Sequence, residues 1–352
     1  MKAVITGATG FLGGYLIQEL QSIYDEIYPI VRDPKNLKKL NNEQIIPFQG
    51  DITVPNTLKN PFSKADHCYH AAAKVSSWPK DPQKGYVQTN VLGTQNVLDI
   101  AQETNIERLI YTSSFNALGE TGEEPQTEQW DNPHSFTHPY FNTKYDAGKL
   151  VEDYIQNHDD LNIITVIPTF IIGLGMNNPV STNLLYYLNG KLPGLPILGY
   201  LGLPGGGKVQ WNFVLAESVA KGHVKAALKG KKREKYILGS ENLFLRDFFH
   251  LFGNKIGLKP PGRIPYFLAS LYSHMLEFGK NPALTVSELQ ISKRWFIFDS
   301  SKAINELDYS PEPIEKIIRP WLKEQLTRGN FKKKTTEKVK NYLEKNEELS
   351  IV

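Results

Sequence analysis

One cysteine, Cys68, is all the thiol this chain carries, which excludes an internal disulfide and points to a reducing compartment. Its setting in DHCYHAAA is apolar and strand-like, so a packed core thiol is expected rather than a nucleophile. No run of about 18 apolar residues occurs, which argues against a spanning helix. The first apolar stretch is a patterned strand rather than the core of a signal peptide, and the expected location is cytoplasmic. Charge of one sign is equally scarce. The 40 Lys and Arg against 37 Asp and Glu leave a net +3, so no global basic field argues for nucleic acid. The small excess gathers at the end, in Lys332, Lys333, Lys334, Lys338, Lys340 and Lys345. That tail reads as a solvated helix or a frayed end. Internal repeats and low-complexity segments are lacking too.

What is present is an ordinary globular composition, 40% hydrophobic and 22% charged over 352 residues, enough for a nucleotide domain plus a second lobe. Short apolar runs alternate with longer amphipathic stretches. Residues 2–6 (KAVIT), 26–31 (EIYPIV), 45–48 (IIPF), the run ending in HCYHAAA, 108–114 (RLIYTSS) and 162–168 (NIITVIP) are expected strands. Residues 11–22, 85–104 and 139–157 have helical spacing. This alternation predicts an α/β fold, a doubly wound parallel sheet of Rossmann type, with a crevice at the strand ends. Residues 211–228 read as a strand running into another helix, and the Gly-, Pro- and apolar-rich 183–211 stretch breaks the earlier rhythm. The expected organisation is a dinucleotide domain from 1–172 and 209–238, a smaller, mostly helical substrate lobe from 173–208 and 239–328, and the basic tail 329–352.

ITGATGFLG sets Gly7, Gly10 and Gly13 three apart across a strand end and a helix start. Gly7 permits the tight turn, Gly10 lets backbone approach a pyrophosphate, and Gly13 lets the helix pack on the strand. The helix amino end adds free N–H donors and a positive dipole. This stretch resembles the extended branch of the short-chain dehydrogenase/reductase superfamily, the NAD-dependent epimerase/dehydratase family, where TGATGFLG is typical. The resemblance makes Gly7, Thr9, Gly10, Phe11, Leu12 and Gly13 the cofactor cradle.

At the end of the second strand, where an NAD enzyme places an acid for the ribose 2′-hydroxyl, this chain has Val31 followed by Arg32. A guanidinium forks onto a phosphate, and Lys38 or Lys39 adds a point charge. Asp33 precedes Pro34 and suits a helix cap. NADP is therefore expected in preference to NAD. VRDPKNLKKL resembles the matching segment of dihydroflavonol 4-reductases, which implies that Arg32 and Lys39 hold the 2′-phosphate. The family likeness further implies Asp51 and Ile52 at the adenine and Ala71 and Ala72 where a strand end admits the cofactor. His67 and His70 point to opposite strand faces and cannot chelate together, so no metal is expected.

PYFNTK puts Tyr140 and Lys144 one helical turn apart on a single face. A neighbouring ammonium and an oxidised nicotinamide are expected to lower the phenol's pKa, so that Tyr140 exchanges a proton with the substrate oxygen. Lys144 would also hold the nicotinamide ribose. Ser113 and Ser114 face opposite ways, and the family's serine-to-glycine spacing up to Gly119 selects Ser114 as the hydroxyl that steadies the substrate oxygen. Asn90 matches the family's helix asparagine, as a cofactor neighbour or a structural residue, and Pro168 begins the segment that crosses the nicotinamide. His134 and His138 read as surface-loop residues.

The resemblance runs to about Pro311, through NPALT (281–285) and FDSSKAINELDYSP (298–311), which look like the reductase and hydroxysteroid dehydrogenase group. IPTFIIGLGM lacks the arginine and asparagine of sugar-nucleotide epimerases, and FVLAESV departs from the family at Leu215 and Glu217. The apolar 184–211 stretch suits an apolar or aromatic substrate, or plain lobe packing. The resemblance thus implies a monomeric or homodimeric NADP(H)-dependent oxidoreductase acting on a small carbonyl or alcohol compound, with no nucleic-acid partner. The competing readings are a nucleotide-sugar epimerase or dehydratase with bound NAD, and a non-catalytic dinucleotide sensor.

Overall fold

Strands buried on both faces read as continuous apolar runs, and they pair in parallel between two helical layers. The computed structural model describes residues 1–37, 42–75, 85–132, 139–191, 202–277 and 285–348. Its strands are β1 Lys2–Thr6, β2 Glu26–Val31, β3 Phe48–Gln49, β4 His67–His70, β5 Arg108–Thr112, β6 Ile163–Pro168, β7 Phe170–Ile172, β8 Leu203–Pro204, β9 Gln210–Leu215, β10 Lys235–Leu238, β11 Glu241–Phe244 and β12 Arg263–Ile264. Seven of them form one sheet in the order β10-β6-β5-β4-β1-β2-β3, all parallel. Strand order reverses between β1 and β4, so the crevice outside their carboxyl ends is where this fold binds ligands. Thr6, His70, Thr112 and Pro168 all end strands there.

Several elements differ from expectation. Ile45 makes only an isolated bridge to Ile27, and the third strand starts at Phe48, because Pro47 lacks the N–H a ladder needs. The long helix expected over 85–104 opens as a π-helical segment, Val87–Leu92, before the α-helix Gly93–Glu103. The fifth strand stops at Thr112, since Ser114 caps the short Phe115–Leu118 helix by accepting from the Asn116 N–H. β10 adds a seventh strand where no strand was expected. The helix carrying PYFNTK runs over Pro139–Asn157 as expected, and β9 leads into the Ala216–Lys229 helix.

The sheet β11-β9-β7 joins a second core made largely of aromatic rings. Phe170 stacks on Trp211 at 4.1 Å and 6°, and Phe213 on Phe248 at 4.0 Å and 8°. Phe115, the residue after Ser114, meets Phe170 at 4.2 Å, so the lobe's ring stack reaches the edge of the crevice. Cys68 is fully buried in the core, where burial pushes its thiol pKa up.

Over its described residues, 329–348, the basic tail is not solvated all round. It forms the helix Lys333–Glu348, in which Thr335, Val339 and Leu343 recur every fourth residue and are buried. Phe331 packs with them in the aromatic core. Asn189 ties the entry: its Nδ2 donates to the Asn330 carbonyl and its Oδ1 accepts from the Lys332 N–H. An apolar stripe at helical spacing docks the inner face, and the lysines occupy the outer one.

Candidate active site

The crevice floor is built by glycine. Gly7 turns the chain with φ +81°, and a Cβ there would lie 2.6 Å from the Ala72 nitrogen and 2.7 Å from the Ala71 carbonyl carbon. The Ala71 N–H in turn donates to the Thr6 carbonyl and the Ala72 N–H to the Thr6 hydroxyl. Gly10 donates to the Gly7 carbonyl at 2.9 Å. It starts the helix Phe11–Leu20 without a side-chain cap, so that helix offers its first N–H groups to a ligand. Thr9 and Gly10 are exposed, Phe11 and Leu12 half-buried, and Gly13 buried. This cradle fits a pyrophosphate, because side chains are missing where backbone must come close.

A Cβ at Gly13 would fall 2.1 Å from the Gly7 oxygen. Gly13→Ala is therefore expected to destabilise the fold by roughly 1–3 kcal/mol through overpacking, read as a lower midpoint in urea unfolding. An unchanged midpoint would contradict this close helix–strand approach.

At the end of β4 the two histidines serve different partners. His70 Nδ1 bonds the Thr6 hydroxyl at 2.7 Å and its Nε2 the Thr94 hydroxyl at 3.0 Å. Burial pushes its pKa down to about 3, so the ring is neutral. His67 Nδ1 bonds the Tyr24 hydroxyl at 2.7 Å. Asn90 is buried in the π-helical segment and clamps two elements. Its Oδ1 accepts from the Lys74 N–H at 2.7 Å, while its Nδ2 donates to the Lys74 carbonyl and to the Thr143 hydroxyl, both at 3.2 Å. The Thr143 hydroxyl donates to the Tyr140 carbonyl at 2.9 Å. Asn90 thus fixes the strand-end loop against the Tyr140 helix. A π-segment commonly marks a functional site, where it re-aims side chains.

Ser114, Tyr140 and Lys144 converge beyond the end of β5. Ser114 and Asn116 both hydrogen-bond the Tyr140 side chain. Ser113 lies instead on the side of Tyr111. Lys144 is buried, with Nζ donating to the Thr112 carbonyl at 3.1 Å. Without a dinucleotide, burial governs both titrating groups. Burial pushes the Tyr140 phenol up to about 12, against the opposing pull of Ser114 and Asn116. Burial also pushes the Lys144 ammonium down to about 8. The lysine spends a donor on the Thr112 carbonyl, and desolvation governs the phenol. In the protein alone, Tyr140 is therefore held as a neutral proton donor.

Two further buried polar atoms stand near it. The Tyr86 ring lies 6.0 Å from that of Tyr140, and among the described residues neither its hydroxyl nor Asn116 Oδ1 has a hydrogen-bond partner. Orphaned buried atoms of this kind are expected where a ligand's polar groups enter. Below the site, Thr112 is fixed by His223, whose Nε2 bonds the Thr112 hydroxyl at 2.9 Å and whose Nδ1 bonds the Val219 carbonyl. None of Asn116, Thr143, Tyr86 or His223 was singled out from sequence. Asn116 is local to Ser114 and Thr143 to PYFNTK, whereas Tyr86 and His223 reach the site only through the fold.

The adenine side is more open. Arg32 is exposed just past β2, with its carbonyl accepting from Gln49. Asp33 Oδ1 accepts from the Lys35 N–H and caps the 3-10 turn Pro34–Leu37, so it serves as a cap, over a shorter helix than expected. Lys38 and Lys39 lie outside the described residues, as do His134 and His138. Asp51 Oδ1 accepts from the Thr53 N–H and hydroxyl. Ile52 is buried, its side chain against Gly93 and its carbonyl bonded by Asn96. Pro168 closes β6 opposite Leu238.

A parallel sheet of this order, a glycine cradle at its switch point and a Ser-Tyr-Lys cluster beside it define a dinucleotide-dependent α/β protein. The family model "NAD dependent epimerase/dehydratase family" matches residues 3–239, and the chain belongs to that family. A protein of Synechocystis sp. (strain ATCC 27184 / PCC 6803 / Kazusa), provisionally named dihydroflavonol 4-reductase, is 28% identical over 328 residues, covering 89% of this chain and 91% of the relative. The sterol-4-alpha-carboxylate 3-dehydrogenase of Saccharomyces cerevisiae is 27% identical over 363 residues, covering 92% and 99%. Among solved structures, that of gox2253 superposes with a TM-score of 0.78 at 28% identity, covering 94% of this chain and 99% of that one. The protein is an NAD(P)-dependent oxidoreductase. Among the described residues no helix is long and apolar enough to cross a membrane.

Proposed function

We propose that this protein reduces a ketone or aldehyde of apolar or aromatic character with NADPH, and runs the reverse oxidation when alcohol and NADP are supplied. The observation that carries the reading is the convergence of Ser114, Tyr140 and Lys144 beside the glycine cradle. Bound NADPH supplies the hydride. Gly7, Thr9, Gly10, Phe11, Leu12 and Gly13 would seat its pyrophosphate, with Ala71 and Ala72 above them. Asp51 and Ile52 would border the adenine, and Pro168 the nicotinamide. Asn90 would act by keeping the strand-end loop in place.

Ser114 donates a hydrogen bond to the substrate oxygen, and Tyr140 releases its hydroxyl proton to that oxygen as negative charge develops. A phenol held up at about 12 suits this direction, since it is fully protonated at neutral pH. Lys144 would hold the nicotinamide ribose and, as a cation, would favour the phenolate that Tyr140 becomes. The substrate would enter between the nucleotide domain, 1–172 with 209–238, and the lobe of 173–208 and 239–328. There Phe115 and Phe170 line up with the aromatic core. The dihydroflavonol and sterol compounds in the names of the two relatives are likewise ring-bearing. A panel of aromatic and alicyclic ketones, assayed with NADPH and NADH by nicotinamide absorbance, tests the reading. Absence of turnover with every carbonyl compound, together with tightly held NAD in the purified protein, would replace it with an epimerase.

The preference for NADPH rests on Arg32, with Lys39 seven residues further along the chain. Arg32→Ala is expected to weaken NADPH binding by about tenfold or more, the value of one charge-assisted phosphate contact, and NADH binding by less than about twofold. Titration of nicotinamide fluorescence measures both, and equal losses would remove Arg32 from the 2′-phosphate.

A further inference from the structure

The helix Tyr266–Glu277 shows solvent the wrong face. Phe267 is 71% exposed, Leu268 47%, Leu271 63% and Met275 62%, whereas Ala269 and Ser273 are the residues turned inward. Phe267, Leu271 and Met275 recur every fourth residue and Leu268 sits beside them, so the four form one stripe. His274 is the one polar residue among the helix's exposed positions. A surface helix ordinarily presents charge outward, and clustered apolar exposure of this kind marks an interaction site.

Cations gather at the start of the helix, around Tyr266. Lys259 and Arg263 are exposed just before the helix, and Arg263 lies close enough to act on the Tyr266 phenol. Lys293 is exposed too, with Nζ 4.6 Å from the centre of the Tyr266 ring. None of the three pairs with a carboxylate among the described residues. The nearby acids are engaged internally: Glu277 accepts from the Val286 N–H and Glu288 caps Thr285.

We propose that this helix is the face by which the protein docks on an anionic phospholipid bilayer, with Phe267, Leu268, Leu271 and Met275 entering the acyl boundary and Lys259, Arg263 and Lys293 at the headgroups. Apolar insertion and basic attraction are the two signals that reversible membrane attachment requires. A second copy of the chain fits less well. The 12-residue helix gives a stripe about 18 Å long and roughly 10 Å wide, well short of the ~800 Å² per partner of a stable interface. The stripe is also convex, where a peptide would need a groove. A bilayer has no such area threshold and supplies the missing negative charge.

Sedimentation with vesicles of phosphatidylglycerol and phosphatidylcholine, against vesicles of phosphatidylcholine alone, tests this on the full chain. The wild-type protein is expected to bind the anionic vesicles, with the bound fraction falling on addition of salt. The combined Phe267→Ser, Leu271→Ser and Met275→Ser variant, which alters only exposed positions, is expected to bind about tenfold less while keeping its circular dichroism spectrum. Arg263→Glu with Lys293→Glu provides a second route to the same loss. Failure of the wild type to bind anionic vesicles overturns the proposal, as does undiminished binding by the triple variant. A dimer by light scattering that the triple variant converts to monomer, without vesicle binding, overturns it too and assigns the stripe to a second copy. Carbonyl reduction by the triple variant in the absence of vesicles should match the wild type, so this test and that of the catalytic reading fail separately.

Discussion

Tyr140→Phe is expected to lower the rate of carbonyl reduction by roughly 10²–10⁴-fold, the usual loss for a positioned proton donor, while leaving NADPH affinity within about twofold. The substitution removes the one atom that can release a proton to the substrate oxygen and touches neither the glycine cradle nor Arg32. It also disengages Ser114 and Asn116, which both bond the Tyr140 side chain, so KM for the carbonyl compound should change less than kcat. The pH profile separates the members of the cluster. Tyr140, pushed up to about 12, remains protonated throughout the ordinary range and contributes no alkaline limb. Lys144, pushed down to about 8, loses its charge first, so reduction is expected to fall above about pH 8 in the wild type. Steady-state rates from pH 6 to 10, at saturating NADPH, measure this. Undiminished turnover by Tyr140→Phe would remove the phenol from the chemistry.

What could be read from the sequence, and what could not, divides by range of interaction. The glycine cradle and the PYFNTK helix are local patterns whose spacing determines their geometry, and both appear where their residues predict. Ser114 lies two residues past a strand, and the family's spacing to Gly119 is what set it apart from Ser113. The π-turn at Val87–Leu92 has no comparable signal. Its residues have ordinary helical spacing, and the extra residue per turn is accommodated where Asn90 reaches both Lys74 and Thr143. β10 is four residues long and gains its place only by pairing with β6 across some 70 residues of chain. The docked tail was legible in principle, since Phe331, Thr335, Val339 and Leu343 recur at four-residue intervals, but the lysine count masked the stripe. Proximity of Tyr140 to Lys144 along a helix says nothing of where Nζ finds its acceptor, and in the protein alone burial governs the phenol. The Thr112 carbonyl, steadied through His223, supplies that acceptor.

That same lysine leads to the second large effect. A buried ammonium whose pKa falls from 10.5 to about 8 opposes folding wherever it is charged. Below pH 8 both folded and unfolded chains hold the proton, and the full cost stands. Between pH 8 and 10.5 the unfolded chain binds the proton and the folded chain does not, so stability rises with pH through that window. A fall from 10.5 to about 8 corresponds to ~3 kcal/mol. Lys144→Met removes that charge and forfeits the bond to the Thr112 carbonyl, worth about 1 kcal/mol. The variant is expected to be more stable than the wild type at pH 7 by on the order of 2 kcal/mol, with no rise between pH 8 and 10.5, and to have lost nearly all turnover. Urea unfolding of the cofactor-free proteins at pH 7 and pH 10 checks both parts. A Lys144→Met protein less stable than the wild type at pH 7 would mean that the ammonium is stabilised by the fold. A gain in stability together with a loss of activity would identify Lys144 as a charge kept in the interior at the expense of folding, for the sake of the reaction.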